Sequence, residues 1–141
     1  MQILITCPVN PTEDIRKVEK ALDNLIGRSE SLSNVSDGER EVSLSFEHRD
    51  AMTLIRQTIH ETRIIDAARK RLESNWNGTS TKIYFDKQAA FVRRTRVVDD
   101  DQELPPLGSI EVVLLFESKR EYEEFIDWFT PPTKDGRVIH H

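Results

Sequence analysis

The chain has 141 residues, 37% hydrophobic and 32% charged, with a formal net charge of -5 at pH 7. One core at this length buries roughly two thirds of the unfolded surface, and the apolar content excludes intrinsic disorder. The acidic balance excludes a protein that coats nucleic acid through a general excess of Lys and Arg, and leaves a local basic face as the route to phosphate.

Ile3 to Val9 form an apolar, β-leaning run that Pro8 and Pro11 interrupt, which predicts a strand ending at a turn. Cys7 sits in that run and reads as a small buried apolar residue; as the single cysteine it has no disulfide partner and no thiolate cluster for zinc. A helix follows, capped by Asn10 with Pro11 at its first position and Glu13 reaching back, or capped by Thr12, with Asp14 favourable to the helix dipole either way. Ile15, Val18, Leu22, Leu25 and Ile26 recur at helical spacing and Gly27 stops them. A Ser-rich bend over residues 28–40 ends in the hairpin turn Asp37-Gly38, and the strand "EVSLSFEH" alternates Val42, Leu44 and Phe46 against polar neighbours.

From Asp50 the period becomes helical: Met52, Ile55 and Ile59 predict one short helix, and Ile65, Ala68 and Leu72 a second, ended by Asn77-Gly78. Lys82 to Asp86 and Ala89 to Val97 are expected as two strands joined at Lys87-Gln88. A polar, proline-broken loop precedes the apolar run Ile110 to Phe116, expected as a central strand. Tyr122, Phe125, Ile126 and Phe129 mark a C-terminal helix, terminated by Pro131 and Pro132. The chain therefore reads as one α+β domain over residues 1–141, in the order β-α-β-β-α-α-β-β-β-α. The lack of a long apolar run or secretory leader predicts a soluble, cytoplasmic protein outside the membrane. His140-His141, native or the remnant of a tag, carry no expected function.

No glycine-rich phosphate loop, nucleophile elbow or paired-His metal motif occurs, so neither enzyme activity nor a cofactor or metal is expected. His48 and His60 read as surface or satisfied histidines, and Asp99-Asp100-Asp101 as a solvated loop, since it lacks the alternation and glycine of a calcium loop. Basic residues do cluster. "KQAAFVRRTR" holds Lys87, Arg93, Arg94 and Arg96 with Phe91 between them, and "RKR" holds Arg69, Lys70 and Arg71. Such groups suit phosphate contacts, with an aromatic face for an unpaired base. The turn Asp135-Gly136 between Lys134 and Arg137 reads as structural, with an anion cradle as the alternative.

The segments "NPTEDIRKVEKALDNL", "IIDAARKRL", "KQAAFV", "PLGSIEV" and "WFTPPTKDGRVI", in this order along nearly the whole chain, resemble the archaeal uncharacterised-protein family 0201, which carries the broad label RNA binding. The resemblance implies a mixed or antiparallel sheet with helices packed mainly on one face, similar to the ribosomal protein that holds 5S ribosomal RNA. It also implies a non-catalytic RNA-binding protein, associated with ribosomal or RNA-processing machinery. The expected RNA contacts are Lys87, Arg93, Arg94, Arg96, Arg69 and Arg71. The alternative is a homodimeric protein-interaction module without nucleic acid.

Overall fold

The structure, a computed structural model, describes residues 1–27, 35–36, 41–99, 108–134 and 137–138. Its elements are β1 Gln2–Pro8, α1 Ile15–Ile26, β2 Val35–Ser36, β3 Glu41–Phe46, a 3-10 turn at Arg49–Met52 leading into α2 Thr53–Glu61, α3 Ile65–Ser74, β4 Ser80–Asp86, α4 Lys87–Phe91, β5 Val97–Val98, β6 Ser109–Leu115, α5 Lys119–Phe129, β7 Thr133–Lys134 and β8 Arg137–Val138. The first six strands make one sheet in the order β2-β3-β1-β6-β4-β5, with antiparallel pairing throughout, and β7 and β8 make a separate ribbon.

Period-two alternation decides which face is covered. Leu44, Ile5, Val112 and Ile83 stand in register across β3, β1, β6 and β4, and all four are buried. Ile3 and Leu114 extend the same inner face, and the helices close over it with Val18, Leu22, Ile55, Ile59, Ile65, Leu72, Phe125 and Phe129. Each such side chain contributes roughly 1.5–3 kcal/mol on burial, which makes this layer the main support of the fold. On the other face, Ser45, Leu4, Val113 and Lys82 form one cross-strand row and Ser43, Thr6, Glu111 and Tyr84 another. Glu111 ties the second row together by accepting from Tyr84 Oη at 2.8 Å and from Thr6 Oγ1 at 3.5 Å.

Two expectations are corrected. The cap of α1 is Asp14, neither Asn10 nor Thr12: its extended backbone (φ -81, ψ 122) opens the helix and its carboxylate accepts from Arg16 N at 3.0 Å. Glu13 does reach back to Asn10 N, at 2.9 Å, but within a separate turn before the helix. The second strand expected over Ala89 to Val97 is instead α4, with β5 reduced to two residues. Asp86 caps α4 by accepting from Gln88 N and Ala89 N, and the helix formers Ala89 and Ala90 follow, so a local cap overrides a weak alternation. The Asp37-Gly38 turn, Asp100 and Asp101, the Asp135-Gly136 turn and His140-His141 lie outside the described residues.

Candidate nucleic-acid interface

The short helix α4 ends in a left-handed turn. Arg94 N donates to Ala89 O at 2.8 Å and Arg93 N to Ala90 O at 3.0 Å, while Arg93 itself holds φ 61. This is the double-bonded Schellman stop, with an arginine where glycine is the usual residue. Asn24 of α1 seats the helix end by donating its amide to Ala90 O at 3.0 Å and Phe91 O at 3.1 Å. Lys17, Lys20, Ala21 and Asn24 follow the i, i+3, i+4, i+7 pattern, so one stripe of α1 faces α4 and carries two lysines. Lys20 Nζ lies 5.4 Å from the centre of the Phe91 ring. Arg93 and Arg94 are both exposed and form no ion pair among the described residues.

Between the two helices opens a cleft of about 330 Å³, lined by residues that include Lys17, Val18, Phe91 and Val92. Glu13 and Lys87 also line it. Lys87, expected as a surface contact, is only 3% exposed: its ammonium lies 2.6 Å from Glu13 Oε1 and donates to Pro8 O at 2.8 Å. Its place is corrected because the first residue of α4 turns inward, where a buried cation requires a partner. Burial alone would raise the Glu13 carboxyl, but hydrogen bonds from Lys87 and Asn10 outweigh it and hold the group below its ordinary value. Burial likewise pushes the nearby Cys7 thiol up to about 12, with Lys87 opposing and Glu13 adding to the rise.

The other expected contacts are drawn into packing. Arg96 pairs with Asp86 at 2.8 Å and keeps 49% of its side chain exposed. Arg71 pairs with Asp99 at 3.2 Å, which joins α3 to the chain beyond β5. Arg69 donates to Thr130 O at 3.1 Å, to Pro131 O, and to Asp66 at 3.3 Å. It works beside Arg56, which donates to Trp128 O at 2.7 Å, and His60, whose ring nitrogen meets Phe129 O at 3.0 Å. Three side chains from α2 and α3 thus satisfy the carbonyls at the end of α5. The structure sets Lys17 in the cleft lining and Lys20 at Phe91, with the exposed Arg93 and Arg94 following Val92 in the chain, and draws Arg69, Arg71 and Lys87 into internal contacts. Reading the sequence missed the two lysines; their spacing with Ala21 and Asn24 was visible, but which helix they face was not.

Among the described residues, no group of three His, Cys, Asp or Glu is placed to hold a metal ion, and no helix is long and apolar enough to cross a membrane. The architecture defines an α+β protein with an antiparallel sheet backed by helices. A family model described as RNA binding matches residues 2–116. The UPF0201 protein of Sulfurisphaera tokodaii is 35% identical over 136 residues, covering 96% of this chain and 90% of its own length. That of Metallosphaera sedula is 31% identical over 139 residues, covering 98% and 93%. The crystal structure of a UPF0201 protein from Methanococcus jannaschii matches with TM-score 0.79 at 27% identity over 99% of this chain and 100% of that one. A DUF54 protein of Archaeglobus fulgidus shares the fold, with TM-score 0.66 at 15% identity over 94% of this chain and 97% of that one. The chain belongs to the UPF0201 family.

Proposed function

We propose that the chain is a non-catalytic RNA-binding protein that grips phosphates with Arg93 and Arg94, assisted by Lys17, Lys20 and the partly exposed Arg96. The observation that carries this reading is the turn after α4. Two arginines stand exposed there without an ion pair among the described residues, beside the lysine stripe of α1. An acidic chain that binds RNA needs such a localised basic edge, because distant surface charges are screened within about 10 Å at moderate salt. The description of the matching family model supports the same reading. Arg69, Arg71 and Lys87 hold the scaffold that presents this edge.

The test is a titration of single-stranded RNA at several salt concentrations with the wild type and an Arg93→Gly, Arg94→Gln double variant. Loss of two phosphate contacts lowers the slope of log affinity against log salt by about 1.4. An unchanged slope removes this edge from the interface. A second reading, association of two copies through the uncovered sheet face, is favoured by Leu4, which stays 38% exposed beside Val113.

A further inference from the structure

We propose that the α1–α4 cleft receives one unpaired nucleobase, so that the protein selects single-stranded over duplex RNA; this rests on the RNA-binding reading above. Size is the first argument. The cleft holds about 330 Å³, at the small end of the range of about 300–1,000 Å³ for ligand sites, which suits one planar ring system. Its walls are the second: Val18, Ala21 and Val92 are apolar, and Phe91 offers an aromatic ring for stacking.

The floor adds polar recognition. Lys87 Nζ gives two of its three N–H groups to Pro8 O and Glu13 Oε1, leaving one. Glu13 Oε1 takes Lys87 Nζ, Asn10 N and Asn10 Nδ2, so the protein donors converge on one oxygen and Glu13 Oε2 has no hydrogen-bond partner among the described residues. Both side chains belong to the cleft lining, and the edge of a base carries groups that donate to a carboxylate and accept from an ammonium. Gln88, exposed on the lining, brings an amide with both functions.

The cations decide which source of nucleobase fits. Arg93 and Arg94 directly follow the cleft residues Phe91 and Val92, Lys17 lines the cleft, and Lys20 sits at Phe91. A strand can lay phosphates along these side chains while one base turns inward. A base stacked and paired within a duplex cannot enter.

The experiment uses the full chain with oligoadenylate and oligouridylate strands, an RNA duplex, an abasic ribose-phosphate strand and free mononucleotides. The expected result is affinity about tenfold higher for a base-bearing strand than for the abasic strand or the duplex. Val92→Trp fills the cleft from a position 60% exposed, and Phe91→Leu removes the ring while keeping apolar volume. Each is expected to collapse that preference toward one, with a melting curve confirming the fold; if one variant fails to fold, the other decides. A preference that survives in the folded variants, or a wild type that binds duplex as well as single strands, overturns the cleft and leaves the RNA reading standing. Mononucleotide binding without strand binding overturns the RNA reading and keeps a nucleobase site. Absence of all binding overturns both.

Discussion

Arg93 holds a backbone conformation that costs an L-residue about 1 kcal/mol or more relative to glycine. Arg93→Gly is therefore expected to raise the melting temperature while weakening RNA binding. Arg63 adopts φ 60 at the end of α2 and provides the control: Arg63→Gly should also stabilise, with RNA affinity unchanged. A fall in melting temperature for Arg93→Gly would mean that the guanidinium has a packing role. The buried pair behaves differently. Lys87→Met strands a largely buried carboxylate and is expected to cost about 3 kcal/mol in denaturant unfolding, most of which Lys87→Met with Glu13→Gln restores. Because the folded Glu13 carboxyl lies below its ordinary value of 4.5, its contribution is complete above that value and disappears as pH falls through the folded one. Glu13→Gln should flatten that acid limb; an unchanged limb would show that other carboxylates set it.

At the scale of elements, the end of α5 is held by cations that complement its carbonyls and the negative end of its dipole. Arg49 and Arg56 also lie over the Trp128 ring, at 4.8 and 5.1 Å, and Thr133 Oγ1 donates to Asp66. Arg69→Ala is expected to destabilise by about 2 kcal/mol, as charge-assisted hydrogen bonds do. Arg69→Lys should restore little, because an ammonium cannot span the carbonyls of two successive residues as a planar fork does. Full rescue by lysine would reduce the clamp to a point charge. This role was not legible in "RKR", since a run of cations on a helix does not reveal what packs over it. The helices α1 and α5 and the strand β6 were legible, because apolar periodicity and the stops at Gly27 and Pro131 act within each segment. The helix α4 was misread because five residues are too few for periodicity to outweigh β-leaning neighbours. What identifies it is the bonding of the Asp86 cap, together with Asn24, sixty-six residues upstream of Ala90.

At the scale of the whole molecule, the proposals above rest on two surfaces among the described residues: the basic edge at α1–α4 and the sheet face around Leu4 and Val113. Light scattering over a range of concentrations separates their uses. If the sheet face joins two copies, the mass doubles as concentration rises and Leu4→Lys abolishes the change; a constant monomer mass ends that reading. The order of the sheet has a consequence for synthesis. Strands β1, β3 and β2 form one group and β4 with β5 another, and β6 is what joins them. It is also the last of the six to leave the ribosome, so a growing chain carries two unfinished half-sheets whose inner edges, β1 and β4, stay open until residue 115 emerges. Translation that stalls in the segment between β5 and β6 would expose both edges at once, so the pace of decoding through that segment bears on whether the newborn chain folds or aggregates.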